Sequence, residues 1–337
     1  MLDLTSICNT SEMRELDRAR TDANRYPWKS AVFDVHGSTI SILSDDKVIL
    51  AEMVKDFGYF VSGSESDKSV SSRPVIIICH NASEYELPKG SILVGSRSAL
   101  GITTWRLPDQ REIVYHQRYK NTTIVDRERC RITILYQSNP YYPIVRSSFS
   151  LLSDIMLSRR DITSLHAAMV LDPHDNQGIL IPGPEGSGKT TTCLWLLESS
   201  YCLLSDEKIW YDPCRRLFLA YPRRPALSPH DLDRSFPQLR ESSSGPFRSI
   251  NQDKDKFLID TDKIWPGRKA NSATAKSVIF TKRWINSYSR VEDLPEQYVR
   301  DLFCALGSVP STLPNGYKLY LGSDREDSQD KLLSLCQ

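Results

Sequence analysis

The chain has 337 residues, 43 Lys and Arg against 42 Asp and Glu, and a formal net charge of +1. That length suggests about two domains, and a hydrophobic share of 40% lies far above disordered compositions, so a core can form without staples. Balanced charge argues against a general nucleic-acid coat or a polybasic membrane binder, both of which need clustered cations.

In chain order, the first twenty residues lack a basic segment leading into an apolar run, so no signal peptide is expected. Their charges fit a short amphipathic helix. Short β-branched or aromatic stretches bounded by turn residues then predict strands at Ala31–Asp34, Thr39–Leu43, Val75–His80, Ile92–Gly95, Ile113–Arg118 and Arg131–Gln137. The serine-rich stretch Ser62–Ser72 reads as an exposed loop. Val75–Cys79 is the strongest apolar run and suits a buried strand, not a membrane span. Near Ser147–Ser158 the apolar period becomes helical, and this helix is expected to lead into a second domain. The division predicted is a strand-rich α+β domain over 1–155, suited to substrate recruitment, and an α/β domain over 156–337.

The second half predicts strands at Ser164–Leu171, Gly178–Pro182, Cys202–Trp210, Leu217–Tyr221, Phe257–Asp260, Ser277–Thr281 and Tyr317–Leu321. Helices are predicted at Lys189–Ser199, near Glu296–Leu306 and at Ser328–Leu335, and a mobile loop at Arg240–Lys256. Strands interleaved with helices argue for an α/β architecture. The eight cysteines contain no CxxC pair and no zinc spacing with a His, so reduced thiols and a cytoplasmic location are expected.

The segment Gly183-Pro184-Glu185-Gly186-Ser187-Gly188-Lys189-Thr190 matches G-x-x-x-x-G-K-[ST], between a predicted strand and a predicted helix. Glycines let the chain curl so that successive N–H groups point inward, and the helix start adds its positive end. Lys189 is then placed for the β- and γ-phosphates and Thr190 for magnesium. Thr191 and Thr192 are placed to cap the helix, with Thr191 near the α-phosphate. ATP and Mg²⁺ are the cofactors expected.

A phosphoryl-transfer site also needs carboxylates, and Leu203-Leu204-Ser205-Asp206-Glu207 ends a predicted strand in two of them. One acid can serve the metal and the other can take a proton from an incoming hydroxyl. On a regular strand the two would face opposite ways. His166 precedes the loop on an apolar strand, where a lone His is ordinarily a core residue. Arg223, Arg224 and Arg268 lie in loops after strands and are candidates to offset phosphate charge.

Ser164–Leu171, Gly178–Thr190 and Leu203–Glu207 together resemble the catalytic domain of the HPr kinase/phosphorylase family. The resemblance covers residues 160–325. It implies a P-loop kinase fold related to phosphoenolpyruvate carboxykinase, with phosphate moved to a serine hydroxyl. It matches His166 to the family's active-site His, Lys189 to its loop lysine and Thr190 to its magnesium ligand. It also places Glu207 as the base, with Asp206 on the metal side. The family's signature after the acidic pair is absent, and Ala220–Pro229 stands there instead. The pattern is more similar to the HPr-kinase-like peptide kinases of biosynthetic clusters, such as the lasso-peptide kinases. These share the Leu-His-Ala-Ala strand, a segment like Lys256–Asp260 and a closing strand like Tyr317–Gly322.

The expected activity is Mg-ATP-dependent transfer to a serine on a ribosomally made peptide. A small-molecule kinase and a nucleotide-sensing ATPase stay open as alternatives. The oligomeric state also stays open, although HPr kinases form hexamers.

Overall fold

Lys29–Val35 (β1) and Ser38–Ser44 (β2) pair antiparallel across His36-Gly37, both at positive φ as a tight hairpin turn requires. This is a computed structural model, and it describes residues 29–63, 74–80, 85–98, 101–138, 141–183, 186–248 and 255–281. The chain divides into two compact units between Leu157 and Ser158, just past the expected join.

After the hairpin, Asp46 caps the helix Lys47–Phe57 (α1) by accepting from the amides of Val48 and Ile49. The first unit continues with Val61–Gly63 (β3), Val75–His80 (β4), Ile92–Arg97 (β5), Ile102–Arg106 (β6), Glu112–His116 (β7), Asn121–Asp126 (β8) and Arg131–Tyr136 (β9). They form one nine-stranded sheet in the order β3-β1-β2-β4-β9-β8-β7-β6-β5. The β2/β4 and β4/β9 pairs are parallel and the others antiparallel. Tyr142–Ser158 (α2) packs on α1 through Phe149 and Phe57, whose ring centroids are 4.2 Å apart. Arg146 and Asp56 form a buried ion pair between these helices at 2.7 Å.

The second unit holds Thr163–Leu165 (β10), Ala167–Asp172 (β11), Gln177–Pro182 (β12), Lys189–Glu198 (α3), Cys202–Ser205 (β13), Ile209–Asp212 (β14) and Leu217–Leu219 (β15). Ala226–Leu227 (β16), Pro229–Ser235 (α4), Ser243–Arg248 (β17), Asp255–Ile259 (β18), Thr261–Ile264 (α5) and Ser272–Val278 (β19) complete it. Seven strands form a sheet in the order β10-β14-β15-β19-β12-β11-β13, with β16-β18-β17 as a smaller one. Alternate residues of β11 serve two cores. Met169 and Leu171 face one with Phe218, while Ala168 and Val170 face the other with Cys193, Leu194 and Leu197 of α3. Burial on both faces explains why this strand is apolar from Ala167 to Leu171.

Among the described residues the result is a mixed α/β protein with strand-rich sheets and few helices. Several expectations change. Ser164–Leu171 is two strands broken at His166, and Cys202–Trp210 is two strands separated by a turn. The expected loop Arg240–Lys256 contains β17 and the start of β18, because their pairing supplies the backbone partners a loop would lack. Ser62 and Gly63 of the expected serine-rich loop belong to β3, which pairs with β1. Helices α1, α4 and α5 and strands β6, β8 and β16 were not predicted, and the strand expected at Ser277–Thr281 instead spans Ser272–Val278 as β19. The elements expected in the first twenty residues and beyond residue 281 lie outside the described residues. Cys79, Cys130, Cys193, Cys202 and Cys214 are not joined in disulfides. Among the described residues no helix is long and apolar enough to cross a membrane.

Candidate nucleotide-binding site

Strand β11 pairs antiparallel with both β12 and β13, through Ala167↔Pro182 and Met169↔Ser205. The carboxyl ends of β12 and β13 therefore share one sheet edge with the amino end of β11. His166, the loop after Pro182 and the acids after Ser205 all emerge there. His166 is 7% exposed and stands one step beyond the Ala167/Pro182 pair.

In the loop, Gly186 has φ +79° and Gly188 φ +104°, a left-handed backbone that a side chain would strain. Gly188 is the N-cap of α3 and makes no side-chain capping bond, so the helix starts with its first-turn amides uncovered by a cap. Amides with the positive end of the helix behind them form an anion cradle. The expected caps, Thr191 and Thr192, instead lie inside α3, since Gly188 already takes the cap position and its carbonyl accepts from the Thr192 amide at 2.9 Å. Thr190 and Thr191 are partly exposed in the first turn. Lys189 is buried and its Nζ donates to the Gly183 carbonyl at 2.7 Å. Glu185 lies outside the described residues.

Strand β13 ends at Ser205, whose Oγ accepts from the amides of Glu207 and Lys208 at 3.3 and 3.1 Å. The hydroxyl also donates to the Lys208 carbonyl. This local turn lifts Asp206 and Glu207 off the strand, so strand alternation no longer sends them apart. Both meet Arg223. Its Nε is 3.6 Å from Asp206 Oδ1 and its Nη2 is ion-paired with Glu207. Asp206 is buried at 3%, whereas the Glu207 side chain is 31% exposed.

Burial, reinforced by the negative charge of Asp206, pushes the Cys193 thiol well up. Cys193 lies one helical turn after Lys189 and its thiol donates to the Ser205 carbonyl at 3.8 Å, so the end of β13 meets the α3 face that carries the loop lysine. Arg223 is held from behind by Tyr221, with the guanidinium 5.9 Å from the ring centroid, and Tyr221 packs edge-on against Trp210 at 4.8 Å. Tyr221 itself is tied to the end of β13, its amide donating to the Leu204 carbonyl at 2.9 Å.

The three candidate arginines thus part company. Arg223 joins the acids. Arg224 is buried, with Nη1 3.4 Å from Ser244 Oγ on β17. Arg268 donates to the Leu197 carbonyl at 2.7 Å, at the far end of α3. That end is about 15 Å along the helix from the loop, by the rise per residue. Arg268 is therefore a helix C-terminal partner and is not brought to the glycine-rich loop. Two residues not among the predicted site residues join the edge. Lys208 is buried beside the acids, and Thr281 bonds through Oγ1 to Ser187 Oγ at 3.0 Å.

Among the described residues no group of three or more His, Cys, Asp or Glu is placed to hold a metal ion. Magnesium at a nucleotide needs less from the protein, since it keeps waters and shares phosphate oxygens. The Thr190 hydroxyl and the Asp206 carboxylate are of the right chemistry for such a partial shell. Neither a protein-family model nor a curated protein matches the chain.

Proposed function

We propose that the second unit is a Mg-ATP-dependent kinase that transfers the γ-phosphate to a serine-type hydroxyl on a peptide. The observation that carries this reading is one sheet edge holding an uncapped helix start, the loop lysine, two carboxylates and a buried arginine. Loop amides and Lys189 hold the phosphates, with Lys189 leaving the Gly183 carbonyl to do so. Thr190 and Asp206 hold the magnesium, which would offset phosphate charge when bound. Glu207, the more exposed acid, accepts the proton of the acceptor hydroxyl. Arg223 stands where it can exchange a carboxylate for the transferring phosphoryl group. The resemblance to HPr-kinase-like peptide kinases supports the serine acceptor, with the first unit recruiting the peptide in the cytoplasm.

The test is mass spectrometry of serine-bearing peptides and of free serine after incubation with the protein and Mg-ATP. One phosphoryl mass added to a peptide serine supports the reading. Addition to free serine alone moves the acceptor to a small molecule. ADP formation without any phosphorylated acceptor supports an ATPase instead.

A further inference from the structure

The loop is braced by a strand that comes from far along the chain. Strand β19 runs parallel to β12, and the pairing continues past it, the Ile279 amide donating to the Leu180 carbonyl at 2.8 Å. This brings Thr281 level with the first residue of the loop. A Cβ added at Gly183 would lie 2.5 Å from Ser187 Oγ and 3.2 Å from both the carbonyl and the Oγ1 of Thr281. Ser187 is 8% exposed and its hydroxyl bonds Thr281 Oγ1 at 3.0 Å. Gly183 also accepts from Lys189 Nζ at 2.7 Å. One close-packed point therefore gathers the entry glycine, the serine in mid-loop, the loop lysine and a hydroxyl from the segment that follows β19.

We propose that Thr281 is a positioning residue for triphosphate binding. Its hydroxyl holds Ser187, and through it the Ser187–Gly188 backbone whose amides face the phosphates. Valine at this position keeps the shape but removes the hydrogen bond, leaving a mostly buried serine hydroxyl to find another partner. The loop amides then lose their fixed aim, at a cost paid in phosphate contacts and not in adenine or ribose contacts. The inference rests on the nucleotide reading of this site and adds to it a residue that the loop motif does not contain.

The experiment measures binding of a fluorescent ATP analogue and of adenosine to wild type, Thr281→Val, Thr281→Ser, Ser187→Ala, the Ser187→Ala/Thr281→Val double variant and Lys189→Ala, each checked by a thermal melt. The expected result is a loss of about five-fold in triphosphate affinity for Thr281→Val with adenosine unchanged, the size of one hydrogen bond. Thr281→Ser should restore it, and the double variant should lose no more than either single one. Unchanged triphosphate affinity in Thr281→Val, an equal loss for adenosine, or fully additive single losses would each overturn the proposal. If wild type binds and Lys189→Ala does not while Thr281→Val matches wild type, this inference falls and the site reading stands. A wild type that binds no triphosphate overturns both.

Discussion

Arg223 and Asp206 form a buried ion pair just past the end of β13, Nε to Oδ1 at 3.6 Å, with side chains 7% and 3% exposed. Removing one partner of such a pair strands the other charge in a poorly solvated place. Arg223→Met should therefore destabilise the second unit by about 3 kcal/mol. Adding Asp206→Asn should recover part of that loss. Urea unfolding of wild type and the two variants checks both statements. Equal stability of wild type and Arg223→Met would mean that water already reaches Asp206.

The two acids differ in exposure, and their roles should separate accordingly. Glu207→Gln should bind ATP as wild type does and lose about 100-fold or more in phosphate transfer, the usual effect of losing a general base. Asp206→Asn should instead raise the magnesium requirement. Titrating transfer rate against magnesium distinguishes them. An active Glu207→Gln beside a dead Asp206→Asn would exchange the assignments.

Arg268 offers a control drawn from the same cluster of basic residues. Its bond to the Leu197 carbonyl caps the carboxyl end of α3. Arg268→Met should cost about 1 kcal/mol in thermal or urea stability, as expected for a cation at a helix carboxyl end. ATP affinity should stay within about two-fold of wild type, a shift too small to mark a lost phosphate contact. A ten-fold loss of affinity at unchanged stability, roughly 1.4 kcal/mol, would return Arg268 to the phosphates.

His116 on β7 gives the first unit an acid sensitivity. Burial lowers its pKa from 6.5 to about 4. Between those values the unfolded chain binds a proton that the folded chain does not, so stability rises with pH and falls as pH drops through the window. The loss by about pH 4 is on the order of 3 kcal/mol. Glu112 and Asp45 act in the opposite sense, since burial raises both carboxyls and favours their protonated folded form. Comparing wild type with His116→Leu removes that background. The variant should lose the downward slope between pH 6.5 and 4 in urea unfolding, and an unchanged slope would exclude His116 as its source.

The loop and its flanks were legible in the sequence because their information is local. β12, the glycines and the start of α3 follow one another, and the positive φ angles demand glycine where glycine stands. Val75–His80 was equally plain as a short apolar run. Helix α1 was missed because Val48, Ile49 and Leu50 resemble a strand. It is a helix because Asp46 caps it and Ile49, Leu50, Met53 and Phe57 bury one face. The strand order of the second sheet was hidden, since neighbours such as β19 and β12 are joined only through distant pairing. The same holds for the arginines. Arg223 and Arg268 look alike along the chain and differ only in what long-range folding sets beside them. Thr281 had no local signal at all.

The most direct measurement is ADP formation by wild type and by Lys189→Ala, with ATP, magnesium and a serine-bearing peptide present. Turnover is expected in wild type and should disappear in Lys189→Ala, because the proposed kinase relies on this buried lysine to reach the phosphates from the loop. Turnover equal in the two proteins would contradict it and remove the loop from the chemistry.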